Sequence, residues 1–268
     1  ARLLLALGLV LATSVNSTDA FQNAALGVNS QRGARVGANS RRSALCARSG
    51  RAAGSRLFMT GGGLDDLRLK VKAIELEGMR CDLLNLCDKT LRGVTSLEDS
   101  DDRKLIMELV EKLEKVNPEP KPLSSTVING NWRLRWTTSQ SILGRNRMRG
   151  FRVDLNKPIF QEIDAINLTA RNVEPITTFR GLFGGLQYTN SVEAELIPVS
   201  DSMVKVQFKR FNLFGGLISF KAPAKARGEL DTTYLDAGII CTVNNQLGEC
   251  LRISRGDRGN VFVLTKDN

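Results

Sequence analysis

Between Leu64 and Arg92 apolar side chains return every three or four residues, at Leu67, Val71 and Ile74 and then at Leu76, Met79, Leu83, Leu84 and Leu86. That spacing predicts an amphipathic helix, with Gly78 as the place where it would break. Gly93 stops it. The acidic stretch from Ser96 to Asp102 suits the start of a second helix through Leu105, Ile106, Leu109, Val110, Leu113 and Val116, because carboxylates favour a helix N-terminus. Pro118, Pro120 and Pro122 then forbid its continuation. Residues 64–117 thus read as a helical segment and 118–128 as a Pro-rich linker.

Beyond the linker the period falls to 2. Trp132, Leu134 and Trp136 alternate with arginines, Val192, Ala194 and Leu196 with glutamates, and Val204, Val206 and Phe208 with Lys205, Gln207 and Lys209. Each is a strand with one buried and one wet face. Glycines punctuate residues 129–268 often enough for about eight to ten short strands, and so little helix between antiparallel strands predicts a barrel or sandwich. The fold class is therefore mainly β, an antiparallel β-barrel preceded by two amphipathic helices. Two sites share one design, Leu182-Phe183-Gly184-Gly185-Leu186 and Leu213-Phe214-Gly215-Gly216-Leu217. They read as tight turns on the barrel or as an apolar lip at its mouth.

Charge changes the picture at the N-terminus. The net +10 suggests a nucleic-acid partner until its distribution is read: residues 1–60 hold 8 Lys and Arg against 1 acid, and the rest 30 against 27. A nearly balanced body with no recognition module argues against nucleic acid. Residues 1–20 carry Arg2, an apolar run from Leu3 to Ala12 and a small, polar end, as in a signal peptide. From Phe21 to residue 59 the chain is rich in Arg, Ser, Ala and Gly and has no acid, as in a transit segment. Together, with Phe at the junction, they resemble the bipartite presequence of algae whose plastids lie inside extra membranes. The chain opens on Ala1, which points to a residue or residues before it.

Candidate chemistry is sparse. No His occurs, which removes His-based triads and the commonest metal ligand, so no metal site is expected. Five cysteines, with Cys81 and Cys87 six positions apart, match neither a redox pair nor a zinc spacing.

Three stretches then carry a family resemblance. Asn129-Gly130-Asn131-Trp132-Arg133-Leu134-Arg135-Trp136-Thr137-Thr138-Ser139 resembles the opening strand of the plastid lipid-associated protein family, also called fibrillins. Leu84 to Gly93 and Leu113 to Pro118 resemble the helices that precede it. Tyr234-Leu235-Asp236 and the string from Leu251 to Leu264 resemble the family's closing segment, in which the two halves are fused. Ala237 to Gly248 accordingly looks like an insert, and Cys250 stands where the family has an acid. A hairpin tipped by Asn244-Asn245 and closed by a Cys241–Cys250 disulfide, a partner-binding loop and an unspliced intron all fit it.

The resemblance covers about residues 65–266 and implies a lipocalin-like barrel in a plastid, on thylakoid or plastoglobule, binding a lipid, carotenoid or prenylquinone without catalysis. The strand parity places Trp132, Leu134, Trp136, Val204, Val206, Phe208, Leu251, Ile253, Phe262 and Leu264 inward, as core or as the wall of a hydrophobic cavity. Lipocalin-type barrels set a Trp of the opening strand against an Arg of the closing one. Here Trp132 has Arg252 or Arg255, with Arg255 favoured because it shares a face with Leu251 and Ile253, and Asp257 nearby to pair or shape the turn. Such a latch is worth about 0.5–2 kcal/mol. Arg145, Arg147, Arg149 and Arg152 form a basic hairpin, solvated or set against anionic membrane lipid or an acidic partner.

Two other functions stay open. One is a protein-interaction subunit on a photosynthetic antenna or photosystem. The other is a carotenoid or quinone enzyme using Glu162, Asp164, Glu193, Glu195 or Asp231.

Overall fold

A computed structural model describes residues 64–143, 154–178, 186–238 and 248–267. The expected presequence, the arginines at 145, 147, 149 and 152, the first Gly-Gly site at 182–185 and most of the stretch that looks like an insert, Cys241 included, lie outside the described residues.

Among the described residues, helix α1 (Leu64–Lys89) and helix α2 (Asp101–Lys115) precede nine strands. These are β1 (Gly130–Thr137), β2 (Phe160–Asp164), β3 (Thr169–Thr178), β4 (Leu186–Pro198), β5 (Met203–Leu213), β6 (Ile218–Lys221), β7 (Arg227–Leu235), β8 (Leu251–Gly256) and β9 (Val261–Lys266). Neighbours pair antiparallel in the order β4-β3-β2-β1-β9-β8-β7-β5, and β4 also pairs with β5, so eight strands close into a barrel. Closure removes the unpaired edges an open sheet would expose. Strand β6 stands outside the ring, paired with the far end of β5 where β7 has left it.

Helix α1 runs unbroken through Gly78, against the expected break. Its first three turns leave Leu67, Leu69, Val71 and Ile74 exposed, and only from Leu76 onward does it pack on the barrel. Helix α2 begins at Ser100, whose Oγ accepts the Arg103 N–H at 3.4 Å, with Asp101 and Asp102 in the first turn. Between the helices Gly93 has φ +100°, and a Cβ there would sit 2.4 Å from the Thr137 carbonyl oxygen. Only glycine lets this turn lie so close to β1.

Three bulges decide which side chains face the lumen; the one on β5 adds Lys209 between Phe208 and Arg210 and so puts Phe211 on the chamber wall. On β1, Leu134 opposes Leu264 but Trp136 opposes Val263, so one extra residue, Arg135, turns Trp136 outward. On β7, Thr232 opposes Ser254 but Tyr234 opposes Ile253, with Thr233 as the extra residue. Two large apolar cores result, beside a small cluster of Phe211, Ala222 and Ala226. The outer one packs Leu83, Cys87, Ile106, Val110 and Leu113 of the helices on Trp136, Tyr234, Leu251, Ile253, Val261 and Val263. The inner one fills part of the lumen with Ile128, Trp132, Leu134, Ile163, Leu196, Val204 and Leu264. Residues 122–128 form two short 3-10 turns, Pro122–Ser124 and Thr126–Ile128, that fold Leu123, Val127 and Ile128 over one end of the barrel.

Candidate functional site: the barrel lumen

The lumen is not filled by its own side chains. A chamber of about 80 Å³ lies toward the end covered by Leu123 and Ile128 and is otherwise walled mainly by Ile163, Ala170, Ala194, Leu196 and Val204. A larger one of about 220 Å³ opens toward the other end, where Ser139, Asn190, Asp257 and Asn260 form a polar rim above Leu134, Phe211, Phe262 and Leu264. Gln161, Asn172, Val192, Val206, Phe208 and Leu230 border both chambers. Apolar walls with a few fixed polar groups are the composition of a small-molecule site.

Register explains the polar groups. Trp132 pairs with Gln161 across β1 and β2, Gln161 with Asn172 across β2 and β3, and Asn172 with Val192 across β3 and β4. One layer of the barrel therefore carries Trp132, Gln161 and Asn172 side by side. The Gln161 Nε2 donates to Asn172 Oδ1 at 3.1 Å, and Arg252 Nη2 donates to Gln161 Oε1.

Arg252 is wholly buried, its guanidinium carbon 4.7 Å from the centre of the Trp132 ring. Its Nε and Nη1 have no hydrogen-bond partner, and burial pushes its pKa from 12.5 down to about 9. Trp132 is equally buried; its Nε1 donates to the Ile128 carbonyl at 2.8 Å, and Lys266 Nζ stands 5.8 Å from the ring while donating to Val127 O. The Trp–Arg contact thus joins the barrel's first and last segments to the turn that covers its end.

Of the residues expected inward, Trp132, Leu134, Val204, Val206, Phe208, Phe262 and Leu264 belong to the inner core or the chamber walls. Trp136, Leu251 and Ile253 do not. They lie under the helices: Trp136 because the β1 bulge at Arg135 turns it outward, Leu251 and Ile253 because β8 is buried on both faces and this apolar pair points out while Arg252 and Ser254 point in. The favoured latch residue is corrected for the same reason. Arg255 does share the face of Leu251 and Ile253, but that face meets α2, where Arg255 Nε and Nη2 bond the two oxygens of Glu114 at 2.8 and 2.7 Å. Hydrogen bonding to Glu114, opposed by burial and helped by the charges of Glu114 and Glu111, raises the Arg255 pKa. Asp257 starts the β8–β9 turn on the cavity rim, its carbonyl accepting Asn260 Nδ2 at 3.1 Å.

Sequence reasoning missed Gln161 and Asn172. Their signal was present: Gln161 shares parity with Ile163 and Asn172 with Ala170, so each is a polar residue on an apolar face. It also missed the role of Tyr234-Leu235-Asp236. The Tyr234 hydroxyl donates to Asp236 Oδ2 at 2.8 Å, and Asp236 Oδ1 accepts the N–H groups of Gly238 and Leu251 at 2.9 and 3.0 Å. Arg80 of α1 places Nε 3.1 Å from Asp236 Oδ2, near enough for a buried ion pair though not aligned as a hydrogen bond. This triplet staples the β7–β8 connection to the helix.

The described residues contain no helix long and apolar enough to cross a membrane. Residues 77–265 match the PAP_fibrillin family. The chain is 34% identical over 187 residues to "Probable plastid-lipid-associated protein 5, chloroplastic" of Arabidopsis thaliana, covering 69% of this chain and 68% of that protein. It is 32% identical over 220 residues to the chromoplast-specific carotenoid-associated protein of Cucumis sativus, covering 66% and 64%, and 25% identical over 228 residues to plastoglobulin-1 of Pisum sativum, covering 72% and 62%. No solved structure matches.

Proposed function

The chain belongs to the PAP_fibrillin family of plastid-lipid-associated proteins, and from that premise we propose that it is a non-enzymatic carrier of a hydrophobic ligand at plastoglobule or thylakoid membranes. The observation that carries this reading is the unfilled lumen: a closed eight-stranded barrel, covered at one end by Leu123 and Ile128, keeps an apolar chamber and a larger one with apolar walls and a polar rim where a purely structural barrel would place side chains. Burying a ligand's apolar surface there would stabilise the complex by about 25 cal/mol per Å² without specific chemistry.

Catalysis finds little support in the five candidate carboxylates: Asp231 keeps one buried oxygen without a hydrogen-bond partner but lines neither chamber, and the other four are engaged. Glu162 pairs with Arg171, Glu193 with Arg210, Glu195 with Lys209, and Asp164 caps its own turn through Asn167. The ligand class, a lipid, carotenoid or prenylquinone, rests on the relatives' names and on the chamber walls. Mass spectrometry of lipids extracted from the protein isolated from its plastid should recover one such compound in stoichiometric amount, and Val206→Trp, which fills the space between the chambers, should lose it while remaining folded. An empty extract from the unaltered protein would sink the carrier reading.

The exposed Leu67, Val71 and Ile74 of α1 favour a second reading, attachment to a photosynthetic complex. Replacing the three with Ser would then release the protein from that complex without altering its bound lipid.

A further inference from the structure

The lumen does more than exclude water, because the amides of Gln161 and Asn172 are oriented by a residue that can only donate. Arginine has no acceptor atom, so the Gln161 atom facing Arg252 Nη2 must be the oxygen. The other end of that amide, Nε2, can then only donate, so the Asn172 atom facing it must also be oxygen. What remains of Asn172 to meet the chambers is Nδ2, a donor. The polarity of a buried cation is thus relayed through two amides to the middle of the lumen, where both chambers meet. The waist offers N–H groups, and the amide oxygens are turned toward their neighbours.

Resting on the carrier reading, we propose that the Arg252–Gln161–Asn172 relay makes the lumen select amphiphiles with a carbonyl-type acceptor oxygen at the waist and an apolar chain in the chambers. A carbonyl oxygen satisfies the waist donor. A hydrocarbon leaves that donor without a partner. An alcohol must also place its own O–H, which the engaged amide oxygens of the waist do not offer to accept and for which the carboxylates lie at the rim, where Glu174 pairs with Asn190. Carbonyl oxygen can come from an ester, as in an acyl lipid, or from a quinone ring.

The full chain should be titrated with dodecane, 2-dodecanol and 2-dodecanone by displacement of a fluorescent apolar probe, with methyl laurate and a decyl-substituted benzoquinone as the two carbonyl sources. The ketone is expected to bind about tenfold more tightly than the alkane, with the alcohol gaining little. The tighter of the ester and the quinone names the source. Asn172→Leu should erase the ketone's advantage while still binding the alkane, and Asn172→Asp, which puts an acceptor at the waist, should favour the alcohol. Retained alkane binding shows that each variant is folded. Equal affinity for ketone, alcohol and alkane in the unaltered chain would overturn the relay and leave the carrier reading standing. Failure of all five ligands to bind would overturn both.

Discussion

The two apolar cores lie on opposite sides of the same wall of strands and are built by different rules. Under the helices, Leu83, Ile106, Leu113, Leu251 and Ile253 are wholly buried, and two arginines that enter meet carboxylates: Arg80 with Asp236, Arg255 with both oxygens of Glu114. Inside the barrel, Val206, Phe208 and Phe262 border empty space, and Arg252 has no carboxylate partner. The outer core is packed for stability. The inner one holds unfilled volume and an uncompensated polarity, which is what a binding site needs and a structural core avoids.

The largest effect that would test this contrast comes from Asp236→Ala. It removes the carboxylate partner of the buried Arg80, whose Nη2 keeps only the Glu249 carbonyl, frees the Tyr234 hydroxyl and leaves two backbone N–H groups without that acceptor. Breaking a buried pair in this way costs about 3–5 kcal/mol, read as a fall in urea-unfolding free energy. A loss below 1 kcal/mol would mean that the helices are not held where the structure puts them.

Two truncations compare the cores, the first deleting three side-chain carbons and the second two. Ile253→Ala opens a cavity in the outer core and is expected to cost about 3–4 kcal/mol. Val206→Ala widens a chamber that is already there, so only the transfer contribution is lost, about 1 kcal/mol. Equal losses would show that the lumen is packed as tightly as the helix interface.

The same two cores explain what could be read from the sequence. Helices, linker and alternating strands were legible because one face of each is wet: Glu193 and Glu195 beside Ala194, Lys205 and Lys209 beside Val206 and Phe208. The wall between the cores was not. Strand β8 is buried on both sides, so a period of 2 separates its faces without saying which is the lumen, and the apolar pair Leu251 and Ile253 was assigned inward in place of Arg252 and Ser254. Trp136 was misplaced for another reason. The bulge at Arg135 exists only in the pairing of β1 with β9, a partner more than a hundred residues away, and no local pattern announces it. Likewise Ile128 closes the lumen from a segment whose prolines signal only that a helix has ended.

The smallest and most specific effect is alkaline. Burial raises the Cys87 thiol pKa well above its ordinary 9.0, and burial, followed by the charge and hydrogen bond of Asp236, raises that of Tyr234 well above 10.0. Both groups belong to the outer core. Above pH 9 the unfolded chain begins to lose the thiol proton, and above pH 10 the phenol proton, while the native state keeps both. The unfolded state then binds fewer protons, so stability must fall with rising pH, by up to about 1.4 kcal/mol per pH unit for each group. Below pH 9 this contribution is complete and constant. Urea titrations at pH 8, 9 and 10 should show the decline, and Cys87→Ala should make it shallower between pH 9 and 10. Alkylation gives the kinetic counterpart: at pH 8 the exposed Cys81 should react at once, and Cys87 only as fast as the helices lift from the barrel. Rapid labelling of Cys87 in the native protein would place the looseness in the outer core and not in the lumen, reversing the contrast.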